Sequence, residues 1–347
     1  MAAQAIHIFT IVIQKHEIAH SCHRQLFSNL LLHLRAKNSK VMKYPLLFFI
    51  NIIVVLFYTK ANAQIGNDVR FDTYSNLELN GYTKHNTVIL SSNQDKGALL
   101  DNAMLSSFDN LVIRDIYIDD VLLERINKLD VSNVQLYNVS GNVDSLFSIF
   151  MSMPTARALR IDNVTVGEDF TKHAWSSIKR LEISNCNIQS ISDVLKQMTK
   201  ATYISITNSR IDSISFDTIL PSLVYLDLSD CELFNIPYSI KKCPNLECFR
   251  YYNNHFQKTD CDVLRNNTYL RELHLGDCGI REFPTGLIAL PHLQILVLKG
   301  NHIENIPDEI SRFKELKYLG LGRTSYLLNK EIIDSLNVSF SIDKLPD

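Results

Sequence analysis

Residues 293–315 read LQILVLKGNHIENIPDEISRFKE, and this stretch decides the fold. Leu293, Leu296 and Leu298 open it, Asn301 follows, and Ile303, Ile306, Pro307 and Ile310 complete the pattern LxxLxLxxNxIxxIPxxI. The pattern begins again 23 residues later at Leu316 (LKYLGLGRT) and 23 residues earlier at Leu270 (LRELHLGDCGIREFP). Alternation puts Leu296 and Leu298 on one face of a short strand, with residues 295, 297 and 299 on the other. Asn301 is a poor strand former whose carboxamide bonds the backbone where the chain turns inward. Ile303, Ile306 and Ile310 then return apolar side chains to the same interior. One such unit has no core of its own; a stack of them does.

Followed outward, the first position of the frame falls at Phe108, Val131, Ala156, Ile178, Ala201, Leu223, Leu246, Leu270, Leu293 and Leu316, spaced 22 to 25 residues apart. The Val131 turn is the least regular, and the Ala156 turn is weak on its far side. The pattern sharpens toward the C-terminus, where Ile236-Pro237, Phe283-Pro284 and Ile306-Pro307 share one slot. Proline fixes φ there and ends a turn that needs no ladder bond. Beyond Leu316, NKEIIDSLNVSFSIDKLP predicts a helix from about Lys330 to Leu336 and a final strand.

In period and slot chemistry the chain resembles the leucine-rich repeat family, nearest its 23-residue class, from residue 108 to about 340. The resemblance implies an α/β solenoid, a horseshoe of about ten turns with a parallel β-sheet on its concave face. Residues 108–328 are then the repeats, 64–107 an N-terminal cap and 329–347 a C-terminal cap. Such repeats mostly mediate protein–protein contact, so the resemblance also implies a binding function.

The 347 residues are 46% hydrophobic and 21% charged with a net charge of −2, which suits a soluble globular or solenoid protein and argues against a nucleic-acid partner. No apolar run reaches the roughly 18–20 residues that span a bilayer. Residues 1–41 hold five of the eleven histidines and the sequence HEIAH at His16–His20. On a helix that spacing places two imidazoles on one face to hold zinc, with Glu17 as general base. Residues 42–64, MKYPLLFFINIIVVLFYTKANAQ, argue against it. Lys43, the apolar run from Leu46 to Tyr58 and the Ala61-Asn62-Ala63 site are the three parts of a secretory signal peptide.

The expectation is therefore a signal peptide at 42–63 cut between Ala63 and Gln64, with Met42 the true start and 1–41 an upstream extension or a disordered tail. The alternative is a signal anchor with a short cytoplasmic tail, for which the apolar run is short. The mature chain is expected to be secreted, periplasmic or at the cell surface, with no stable membrane span. No Ser-His-Asp, paired-carboxylate or glycine-rich phosphate motif stands out in 64–347, so neither catalysis, metal nor cofactor is expected.

Six cysteines follow the signal peptide. Cys186, Cys231 and Cys278 fall in the slot of Asn254 and Asn301, which in the family takes Asn or Cys, buried at the bend. They read as structural. Cys243 and Cys261 lie on the return segments of adjacent turns and Cys248 on the strand; spacing leaves a bridge between two of these three open. Asn138, Asn163, Asn266 and Asn337 begin N-x-S/T triplets, which arise often by chance.

Strands in register stack their outward side chains into ladders. In the middle of the array these bring together Tyr203, Tyr225, Asp227, Arg250, Tyr252 and His274. Tyr and Arg dominate binding hot spots, since they join large area to a polar handle. The competing reading is ordinary surface, with Asp227 and Arg250 steadying the sheet as an exposed pair of about 0–1 kcal/mol. Three functions follow. The leading one is an exported, non-catalytic module whose concave sheet grips a protein, or a glycan. Behind it stand a structural or adhesive envelope component and, last, a zinc peptidase through HEIAH.

Overall fold

The computed structural model of the chain describes residues 87–91, 109–256, 261–336 and 338–342. HEIAH, the signal peptide and the rest of residues 1–86 lie outside the described residues. In chain order the strands are β1 (Thr87–Leu90), β2 (Asn110–Arg114), β3 (Tyr117–Ile118), β4 (Asn133–Tyr137), β5 (Ser140–Gly141), β6 (Ala158–Asp162), β7 (Arg180–Ser184) and β8 (Asn187–Ser190). They continue as β9 (Tyr203–Thr207), β10 (Arg210–Ser213), β11 (Tyr225–Asp227), β12 (Cys248–Arg250), β13 (Glu272–His274), β14 (Ile295–Val297), β15 (Tyr318–Leu321) and β16 (Ser339–Ile342).

Twelve of these form one sheet, in the order β1-β2-β4-β6-β7-β9-β11-β12-β13-β14-β15-β16. Every pairing in it is parallel, and the register follows the repeat frame: Asn110, Asn133, Ala158, Arg180, Tyr203, Tyr225, Cys248, Glu272, Ile295 and Tyr318 stand in one row. The sheet runs one strand past the ten-turn frame at each end, with Thr87 opposite Asn110 and Ser339 opposite Tyr318. The short pairs β3–β5 and β8–β10 continue the stacking just after the bend.

Inward residues form a single continuous core from Val88 to Ile333. Each turn buries two of them in or just after its strand, such as Leu226 with Leu228 or Leu296 with Leu298. Tyr251 takes the second of these places among leucines, packed on Phe249 and Phe256, and its buried hydroxyl has no hydrogen-bond partner. The return segments change character along the array. Three early turns come back through α-helices (Asp120–Ile126, Val143–Ser152, Ser192–Gln197) and one between them through a 3₁₀ turn (Glu168–Lys172), while later ones use 3₁₀ turns (Tyr238–Lys242, Asp262–Leu264, Thr285–Ala289, Asp308–Arg312). Pro237, Pro284 and Pro307 each sit immediately before one of these 3₁₀ turns, with φ of −56°, −75° and −73°. The proline slot thus opens the return turn, where its fixed φ is already correct and its missing N–H costs nothing.

Two neighbouring positions make the bend. Asn254 and Asn301 are buried and bond two turns at once. Asn301 Oδ1 accepts from the amides of Cys278 (3.0 Å) and Ile280 (2.9 Å), while its Nδ2 donates to the carbonyls of Leu275 (2.7 Å) and Leu298 (3.0 Å). Cysteine suits the same place in alternate turns because its thiol is small and weakly donating: Cys278 Sγ lies 3.1 Å from the Tyr251 carbonyl.

One position earlier, Asp115, Asn138, Asn163, Asn185, Asn208, Asp230, Asn253 and Asp277 all adopt φ between 47° and 57°. Asn and Asp are the side-chain-bearing residues that tolerate this left-handed region best. Each sends its amide to the next turn, as Asp277 does to the Lys299 carbonyl at 2.8 Å. Their side chains form a ladder, with Asn163 Nδ2 donating to Asn138 Oδ1 at 2.8 Å and Asn253 Nδ2 to Asp230 Oδ1 at 2.6 Å.

Cys186, Cys231, Cys243, Cys248 and Cys278 are free thiols, so Cys243 is not bridged to Cys261. Burial pushes the Cys231 and Cys243 thiols up to about 12. At the C-terminal end, helices Arg323–Leu328 and Lys330–Ser335 precede β16. Asn329 anchors them, donating to the Glu304 carbonyl and accepting from the Ile306 amide. Among the described residues no helix is long and apolar enough to cross a membrane.

Candidate functional site

The outward side chains of β6 to β13 form one connected row. Arg160 and Arg180 both pair with Glu182, at 3.3 Å and 2.7 Å. The Arg180 guanidinium carbon lies 3.6 Å from the Tyr203 ring centroid. Tyr203 and Tyr225 stack face to face, 4.2 Å between centroids with their planes 1° apart. Arg250 follows at 5.6 Å from the Tyr225 ring and donates to Glu272 at 2.9 Å. Glu272 also lies 2.7 Å from His274 Nε2. Direct cross-strand opposition at strand spacing lets flat groups stack this way, because third-slot residues face one another across every pairing.

Four of the six residues singled out from the sequence belong to this row: Tyr203, Tyr225, Arg250 and His274. Asp227 stands behind it, 8% exposed; its carboxylate accepts from the Ser229 amide (3.0 Å), the Ser229 hydroxyl (2.6 Å) and the Tyr225 hydroxyl (3.2 Å). The expected Asp227–Arg250 pair is therefore corrected: Arg250 bonds Glu272, and Asp227 braces the strand end and Tyr225. Tyr252 stands at the end of its strand, 42% exposed, where Gly276 makes room for it. A Cβ on Gly276 would lie 2.9 Å from two Tyr252 ring carbons. Arg160, Arg180, Glu182 and Glu272 complete the row and were not singled out. They occupy the same third and fifth slots, so the frame itself located them, but their choice of partners depends on side-chain direction.

Burial raises the Tyr203 and Tyr225 hydroxyls above their usual value, so both remain neutral donors. Glu272 moves the other way. The His274 hydrogen bond, then that of Arg250, lowers its carboxyl to about 2 against the opposing effect of burial. A depressed carboxyl contributes stability above its ordinary value of 4.5, and loses it as pH falls toward 2. Between pH 5 and 2.5 the urea midpoint of the wild-type protein should accordingly fall further than that of Glu272→Gln. Parallel curves would show that the Arg250–Glu272–His274 cluster contributes no proton-linked stability. Among the described residues no group of three or more His, Cys, Asp and Glu side chains could hold a metal ion.

Comparison with known proteins bears on the repeat fold. Family models described as leucine-rich repeat match residues 222–243 and 266–281. A curated relative, chaoptin of Drosophila melanogaster, is 28% identical over 189 residues, covering 52% of this chain and 14% of chaoptin. The match therefore spans only a small part of that relative. Among solved structures, an internalin from Listeria monocytogenes superposes with a TM-score of 0.53 at 17% identity, covering 72% of each chain. TLR13, in its complex with ssRNA13, superposes with a TM-score of 0.54 at 19% identity, covering 68% of this chain and 36% of that one. Repeat matches, strand register and structural neighbours converge on one architecture: the chain has the α/β fold of a leucine-rich repeat solenoid.

Proposed function

We propose that this chain is an exported, non-catalytic binding module that holds a protein partner on the outward, concave face of its sheet. Tyr203, Tyr225, Arg250, Tyr252 and His274 are its centre, with Asp227 behind them. The observation that carries this is the unbroken row from Arg160 to His274, in which rings and guanidinium groups are already held in place. Side chains ordered before binding lose less freedom on binding, and Tyr and Arg are the residues that carry interface energy. The RNA of the TLR13 complex is not carried over. Here each arginine of the row faces a carboxylate, Arg160 and Arg180 sharing Glu182 and Arg250 facing Glu272, which leaves one positive charge in excess rather than a basic stripe.

Export rests on the signal-peptide pattern of residues 42–63, with cleavage between Ala63 and Gln64. The chain recovered outside the cytoplasm is then expected to start at Gln64. For a protein that co-purifies with it, joint alanine replacement of Tyr225, Arg250 and Tyr252 should weaken affinity roughly hundredfold. Unchanged affinity in a folded triple variant would remove the outward face from the account.

A further inference from the structure

Where helix Val143–Ser152 meets the next return turn, two buried polar atoms have no hydrogen-bond partner among the described residues. They are Asp144 Oδ1 on the helix and His173 Nε2 at the end of the turn Glu168–Lys172. Covered polar atoms are normally paired, so two orphans at one seam call for a reason. The rest of the ring is held in place. Its Nδ1 lies 3.4 Å from Ser148 Oγ, and Phe147 packs edge-on against it with centroids 6.0 Å apart. Ser148 has one hydroxyl proton, which it donates to the Asp144 carbonyl at 3.1 Å. The hydrogen of the Nδ1 contact therefore belongs to the ring, and Nε2 is the bare nitrogen.

The carboxylate owes its place to a missing side chain. A Cβ on Gly167 would lie 2.0 Å from Asp144 Oδ2, so glycine opens the space in which the carboxylate sits. Asp144 Oδ1 lacks a donor and His173 Nε2 lacks a hydrogen; one proton on Nε2 supplies both. The charges that bear on the ring are Asp144 across the seam and Asp169 on its own turn, the latter paired with Lys172. Glu168 acts on Lys172. The next helix, Ser192–Gln197, carries Asp193 and Lys196 but meets this segment through Gln197, whose Oε1 accepts from the Trp175 amide at 3.3 Å. Burial outweighs the two carboxylates and holds the ring below its ordinary value of 6.5, so it is uncharged at neutral pH.

We propose that this seam is a proton-operated joint between two turns of the solenoid. In mild acid, His173 takes a proton from solvent at Nε2, and the Asp144 carboxylate turns away from Gly167 to accept the new N–H. The helix and the turn then shift against each other. The movement reaches Trp175 through rings in contact, since Phe147 touches Phe170 at 5.2 Å and Phe170 touches Trp175 at 4.9 Å.

The test follows Trp175 emission and the assigned His173 ring resonances of the purified protein between about pH 7.5 and 4.5. Both signals should change reversibly with one midpoint, below the ordinary value of 6.5. Asp144→Asn, which removes the waiting charge, should lower that midpoint by about half a pH unit or more. His173→Gln should abolish the emission change. Near-UV circular dichroism at pH 7.5 checks that both variants are folded; if His173→Gln is not, the wild-type and Asp144→Asn titrations decide alone. A ring that titrates at 6.5 or above, or a midpoint unmoved in Asp144→Asn, would overturn the proposal. So would emission that stays constant while the ring titrates, or an emission change that survives in folded His173→Gln.

Discussion

Asn301→Ala should destabilise the C-terminal half of the array by about 4 kcal/mol, one of the largest losses available to a single polar residue in this protein. The side chain is buried and serves four backbone groups in two turns: the amides of Cys278 and Ile280, and the carbonyls of Leu275 and Leu298. Removing it leaves those groups unpaired inside the bend, where each costs about 1–3 kcal/mol, less whatever water recovers. Since each turn touches only its neighbours, the damage should be local. Hydrogen exchange should show the Cys278 and Ile280 amides losing protection, while Ile183 and Ile206 keep theirs. A loss below about 1 kcal/mol in urea, with those two amides still protected, would mean that the bend does not depend on the asparagine.

Phe170→Ala should cost about 3–5 kcal/mol, at the opposite kind of site. Phe170 is buried between Phe147 and Trp175, with edge-on ring contacts at 5.2 Å and 4.9 Å, and its carbonyl accepts the Trp175 indole N–H at 3.2 Å. A cavity there cannot collapse readily, because its walls belong to helix Val143–Ser152 and to the next return segment, which are held separately. Trp175 is the only tryptophan and is fully buried, so its fluorescence reports this site alone. The emission should shift to the red and the unfolding midpoint should fall in Phe170→Ala. An unshifted spectrum would show that the indole is held by something other than this aromatic cluster.

These two sites also show how far the sequence could be read. The Asn301 slot was legible because its chemistry recurs at a fixed offset from leucines whose spacing sets the register. The same frame placed Tyr203 opposite Tyr225 and Glu272 opposite Cys248 before any coordinates. The Phe170–Trp175 cluster was not legible as structure. The Ala156 turn looks weak on its far side because Asp169 stands in its Ile slot and Phe170 in its Pro slot, while Trp175 lies outside the apolar slots, yet volume rather than pattern fills that part of the core.

The Asn and Asp ladder from Asp115 to Asp277 was written in the sequence one position before the bend. It escaped notice because an exposed Asn reads as ordinary surface unless the backbone is known to be left-handed there. Strand β1 escaped for a related reason. Val88 and Leu90 sit in the inward slots, but His85 stands where the frame leads with an apolar residue. At the candidate site the ladders were readable and the partners were not. Asp227 and Arg250 are opposite in register, yet Glu272 takes the arginine because Asp227 is already engaged by Ser229 and Tyr225.

The central claim is that the outward face of the sheet, rather than the return side, meets the partner. A photo-crosslinking amino acid in place of Tyr252, compared with the same group in place of the exposed Tyr238 on a 3₁₀ return turn, tests it in the native host. The account expects a discrete protein adduct from position 252 and none from position 238. Adducts from 238 alone, or the same adducts from both, would contradict it.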